Sequence, residues 1–195
     1  MLVVFTLIQL YIWLFRGRGP TVVMIVALVL ASHWWRGERP ETLGFTHAGL
    51  GPALRAVLPA SLAIAALILG ATVARRPAPL AAVGPTTALA IFAGYCAWAL
   101  VQQWALNGYF TNRLHLAIGD GRGRLPLTAL LTAICFGFAH LPAWWLVGPT
   151  TVLGFLAALA YLRHRNLYAL ALAHGIVGSA LVLALLAERT PEVPR

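Results

Sequence analysis

The chain has 195 residues, 61% of them apolar and only 10% charged, with a mean hydropathy of +0.83. A soluble domain carries about a quarter charged residues, so this composition excludes an ordinary soluble enzyme or binding module and points to the membrane class. The formal charge of +9 is spread over short loops as arginine pairs, a topological pattern that contacts lipid phosphates and does not call for nucleic acid.

Crossing the hydrocarbon takes roughly 17–25 apolar residues in a helix. A first apolar run covers Leu2–Phe15; Arg16 and Arg18 follow it and no basic residue precedes it, so it reads as a retained helix and not as a signal peptide. Stretches free of Asp, Glu, Lys and Arg then run over 19–35, 56–74, 77–112, 125–162 and 166–187. The 125–162 stretch is long enough for two short spans, divided at Gly148-Pro149, which gives seven candidate helices. Six is the lower count, because a run of about 14 apolar residues is often interfacial. The expected fold is an all-α polytopic bundle of six to seven helices, one integral membrane domain over residues 1–195.

Between the helices, Pro, Gly and Arg cluster. Trp34 and Trp35 beside Arg36 mark a headgroup belt, and residues 37–52 form the longest polar loop. Arg75-Arg76-Pro77 ends the third helix. Gly119-Asp-Gly-Arg-Gly-Arg124 lacks the preceding strand and following Lys-Ser/Thr of a phosphate loop, so it reads as a turn. On alternate faces of a seven-span bundle the arginines divide eight against six, a slight bias toward the eight-residue face as cytoplasmic. Glu188–Arg195 reads as a frayed tail.

Polar side chains inside apolar spans are costly and mark function or interhelical bonding. Three stretches carry them: Gln102, Gln103 and Asn107 on one, His140 on the next, His174 on the last. Gln103 and Asn107 are four apart, on one helix face and within hydrogen-bonding reach, while Gln102 lies about 100° around. Phe136 and His140 have the same spacing, as do His174 and Gly178. Ala171, Gly175 and Ser179 make a small-residue stripe that permits close backbone approach. The expectation is a shared polar cavity with Gln102, Gln103, Asn107, His140 and His174 turned inward, against the plainer reading of polar glue between helices.

Three patterns in order now resemble the CPBP family, the membrane-embedded CAAX proteases and bacteriocin-processing proteins. That family shows Glu-Glu-x-x-x-Arg, then Phe-x-x-x-His, then His-x-x-x-Asn/Asp. This chain has Gln102-Gln103-x-x-x-Asn107, Phe136-x-x-x-His140-Leu-Pro142, and His174-x-x-x-Gly178, with Tyr161–Leu167 similar to the approach to the final histidine. The resemblance covers residues of about 85–187. It implies a bacterial plasma-membrane protein acting on a hydrophobic or lipidated peptide, with Gln102 and His140 at the water-activating positions and His174 with Gly178 on the oxyanion side. Two of those four depart from the pattern: an amide takes no proton from water at neutral pH, and glycine offers no side-chain donor. Replacing the Glu and the Arg together removes an ion pair as a unit, which leaves a neutral hydrogen-bonding cavity. The resemblance therefore implies either an intramembrane endopeptidase or a degenerate, non-catalytic peptide-binding or immunity-type partner.

Other chemistries fit less well. Catalytic zinc wants three protein ligands, and two histidines stand here without a neighbouring carboxylate or thiolate. Bis-histidine haem ligation is the distinct alternative; no metal and no cofactor is expected. Cys135 and His140 are five apart, about 140° around a helix, so they make no nucleophile–base pair. His33, His47, His115 and His164 fall near loops, where ordinary solvation suffices. Oligomeric state is not legible in the chain.

Overall fold

In the computed structural model, residues 19–190 are described, together with Thr6, Leu7, Leu10, Tyr11 and Leu14; the first apolar run thus lies largely outside the described residues. Among the described residues all regular structure is helical. In order these are α1 (Gly19–Trp35), α2 (Pro40–Leu43), α3 (Leu50–Arg75), α4 (Pro77–Ala81) and α5 (Pro85–Gln103). A π-helical segment (Trp104–Thr111) then leads into α6 (Asn112–Ile118), followed by α7 (Arg124–Phe138), α8 (Trp144–His164) and α9 (Leu167–Arg189). Among the described residues four helices are long and apolar enough to cross a membrane: Leu50–Arg75, the continuous Pro85–Ile118, Trp144–His164 and Leu167–Arg189. Val23–Trp35 and Arg124–Phe138 are shorter apolar helices. Large apolar side chains such as Leu67 and Leu89 stand 73% and 66% exposed, a surface that suits hydrocarbon as solvent. The chain is an all-α, membrane-spanning bundle.

The division expected at Gly148-Pro149 is corrected. Helix α8 runs through Pro149 as one element of 21 residues, and the break falls at 139–143 instead. Pro142 cannot donate to a helix ladder, and it pushes Leu141 away from helical geometry. A turn results, closed by His140 N–H donating to Gly137 O at 3.0 Å and Ala143 N–H to His140 O at 3.0 Å. Pro149 lies inside α8 all the same; in the turn around it Thr150 donates to Leu146 O and Thr151 to Val147 O, each at 2.7 Å. The polar loop after α1 is likewise shorter than expected, since it contains α2 and gives way to α3 at Leu50.

Two compact units divide the chain, Met1–Gly49 with Gln103–Leu167 and Leu50–Gln102 with Tyr168–Arg195. In the first, α7 and α8 meet through glycines. A Cβ at Gly137 would overlap the Thr151 side chain, and one at Gly154 would lie 2.9 Å from Phe136 Cδ1. Val29, Tyr109 and Phe110 form a buried cluster flanked by Trp104, Leu114 and Cys135. The run Tyr161–Leu167 acts as a clamp: Tyr161 Oη donates to Leu43 O at 2.9 Å and accepts from Asn112 Nδ2 at 2.8 Å. Asn166 Nδ2 donates to Thr46 O at 2.7 Å, and the Leu167 amide to Gly44 O at 2.9 Å. Arg165, in the left-handed region at φ 50°, ends α8 and hydrogen-bonds Asn112.

In the second unit α5 and α9 touch at the small-residue stripe. A Cβ at Gly175 would overlap Cys96 Sγ and stand 3.1 Å from Cys96 Cα, the close approach that glycine makes possible. At the far ends of α3 and α9, Arg76 Nη2 donates to Thr190 O at 2.6 Å.

Candidate functional site

The first unit carries Gln103, Asn107 and His140. Asn107, with none of its surface exposed, donates through Nδ2 to Gln103 Oε1 at 2.6 Å. Its Oδ1 accepts from Thr111 Oγ1 at 3.1 Å, and Thr111 meets Thr132 Oγ1 of α7 at 3.0 Å. The pairing of Gln103 with Asn107 is the one that their spacing predicts. A neutral relay thus runs from the first polar motif to α7 through two threonines that sequence reading did not single out. The π-helical backbone is what sets it: Thr111 Oγ1 also donates to Leu106 O, five residues back, at 2.9 Å. Such π segments often accompany functional sites.

His140 stands in the turn after α7, half-buried, and not in the middle of a helix. Its Nδ1 lies 2.8 Å from Phe136 O. Because a carbonyl only accepts, Nδ1 carries the proton and Nε2 presents its lone pair. The Phe136 ring meets the imidazole edge-on, with centroids 4.8 Å apart. Phe-x-x-x-His therefore fixes both tautomer and orientation of one imidazole.

The second unit carries Gln102, His174 and Gly178. Gln102 is half-buried, and its Oε1 is buried with no hydrogen-bond partner, an acceptor left waiting for a donor. At Gly178 an added Cβ would overlap Tyr95 Cε1 and Cζ, so the phenol of α5 fills the space that a side chain would take. The same phenol meets His174 with ring centroids 6.0 Å apart at 62°. Ser179, next to the glycine, is occupied: its hydroxyl donates to Gly175 O at 2.6 Å.

One polar cluster escaped the sequence reading, and ordinary solvation does not describe His33. That side chain is 5% exposed, with Nδ1 2.6 Å from Glu38 Oε2 and its ring against Trp104 and Tyr109. Arg113 Nη2 donates to the same carboxylate oxygen at 2.8 Å. His115 likewise lies 3.0 Å from Thr128 Oγ1. The missed signal was the His33-x-x-x-x-Glu38 spacing across a helix end, followed by an arginine at the close of an apolar stretch. A cavity of about 140 Å³ beside this cluster is lined by Glu38, Thr42, Leu43, Asn112, Leu116 and Arg165. Among the described residues no three His, Cys, Asp or Glu side chains gather as a metal-holding group.

Comparison with known families gives a match to the model described as type II CAAX prenyl endopeptidase Rce1-like, over residues 84–180. No curated protein and no solved structure matches. The matched segment contains Gln102, Gln103, Asn107, His140, His174 and Gly178. With its membrane-crossing helices, this chain belongs to the Rce1-like family of type II CAAX prenyl endopeptidases.

Proposed function

We propose that the protein is an intramembrane endopeptidase that hydrolyses a peptide bond of a hydrophobic or lipidated substrate, with His140 as general base. The observation that carries this reading is the hydrogen bond from His140 Nδ1 to Phe136 O, which leaves Nε2 as a fixed proton acceptor. Nε2 takes a proton from water as the oxygen attacks the carbonyl carbon. The family resemblance assigns His174 to the oxyanion side. Collapse of the tetrahedral adduct breaks the C–N bond, and the imidazolium returns its proton to the departing amine. By the family resemblance Gln102, whose Oε1 lacks a partner, stands at the water-orienting position, where an amide oxygen accepts a hydrogen bond and takes no proton. No nucleic acid and no cofactor enters this scheme, and the setting is a bacterial plasma membrane.

The test is reconstitution in lipid with prenylated peptides. The rate should rise with pH through one ionisation, because protonated His140 cannot act as base. His140→Ala should remove turnover, and unchanged activity in that variant overturns the reading. A second reading, a non-catalytic peptide-binding partner, is favoured by the neutral chemistry of the relay Gln103–Asn107–Thr111–Thr132. Hydrolysis gained only in Gln102→Glu would select it.

A further inference from the structure

Resting on the peptide-carbonyl reading above, we propose that the Tyr95 hydroxyl is a hydrogen-bond donor to the substrate carbonyl, paired with His174. The residue at 178 is glycine, so that position supplies no side-chain donor. The space beside it is taken by the far half of the Tyr95 ring, with Cζ, the carbon that bears the hydroxyl, against Gly178. The ring packs edge-on to His174, so a phenol O–H and an imidazole share one patch of the second unit. Both side chains are half-buried, and both lie inside membrane-crossing helices. A hydroxyl in such a setting is costly without a partner, and tyrosine is among the side chains that serve as oxyanion donors. A rigid ring held by a neighbouring imidazole also loses little freedom when it binds.

Gly178 and Tyr95 thus form a complementary pair across α5 and α9: the glycine removes one donor and makes room for another. Hydrolysis needs no change in proton balance for this, since the phenol donates a hydrogen bond and keeps its proton.

The experiment uses the full chain in lipid and two uncleavable prenylated peptides. In one, the amide beside the prenylated residue is replaced by a ketomethylene, which keeps the carbonyl oxygen. In the other it is replaced by an E-alkene, which keeps the shape without the oxygen. The wild type should bind the ketone tighter than the alkene, with about three- to tenfold of that preference coming from the Tyr95 hydrogen bond, the worth of one neutral bond. Tyr95→Phe, which keeps the ring against Gly178, should cut the preference by that factor and leave the part that His174 supplies, while still binding the alkene as the wild type does. A preference unchanged in Tyr95→Phe overturns the assignment and leaves the peptide reading intact, as does equal binding of both peptides by the wild type. Failure of the wild type to bind either peptide overturns the peptide reading and the assignment with it. A ring that merely fills space would leave the ketone–alkene difference untouched.

Discussion

At Gly178 a hydrogen atom stands where any other residue would place a carbon inside the Tyr95 ring. Gly178→Ala should therefore destabilise the protein by about 1–3 kcal/mol, the cost of overpacking a filled interior. Combining it with Tyr95→Ala should recover much of the alanine penalty, because the overlapping atoms are gone. Unfolding in detergent of the two single variants and the double variant measures that coupling, and additive effects would show that the two residues do not share space. The identity of residue 178 was plain in the sequence, but its partner was not. Tyr95 lies 83 residues earlier by numbering, and no periodicity links two positions on different helices. His33 teaches the same lesson. Its pairing with Glu38 is local, yet its burial comes from Trp104 and Tyr109, far along the chain.

Among the elements, the π-helical segment and the α7–α8 hairpin carry the most information. Thr111 ties Leu106 O, Asn107 and Thr132 together, so Thr111→Val keeps the shape and breaks three bonds at once. Such bonds average about 0.6 kcal/mol apiece in membrane proteins, which puts the expected loss near 1–2 kcal/mol. A wild-type unfolding midpoint in that variant would show that the relay adds no stability. In the hairpin, Gly137→Ala drives a methyl into the Thr151 side chain, and a loss of about 1–3 kcal/mol is expected. Thr151→Ala in the same chain should relieve part of it, read by the same unfolding measurement. Helix existence was legible here from apolar run length alone. The position of the break was not, because Gly148-Pro149 and His140-Leu-Pro142 offer similar breaker signals. Helix α8 passes Pro149 unbroken, whereas at Pro142 the chain turns over 139–143.

Over the whole molecule, side chains distant in sequence tie loops to helix ends. Asn166 holds the backbone at Thr46 and Ala48, with its Nδ2 at 2.7 and 3.2 Å. Asn166→Ala should leave the helices formed and release residues 44–48. Hydrogen exchange at those amides should speed up several-fold while the α7 and α8 amides stay protected. Equal exchange throughout would show that the clamp is redundant. The run Tyr161–Leu167, read in the sequence as part of a functional resemblance, acts here as the fastening of a loop.

The sequence by itself determined the solvent, the helical class and the family. Uncharged apolar runs of this length form helices in lipid, where backbone groups must be hydrogen-bonded without water and a helix does so within its own segment. It also marked Gln102, Gln103, Asn107, His140 and His174, because polar groups are rare enough in such runs to be noticed. Tertiary structure alone decided what those groups can do. It bound Gln103 and Asn107 to each other and onward to Thr132, fixed one tautomer of His140 through a backbone carbonyl, and laid the Tyr95 ring over Gly178. Those outcomes depend on which helices touch and how closely. Side-chain packing sets that distance, and a linear pattern of residue types does not contain it.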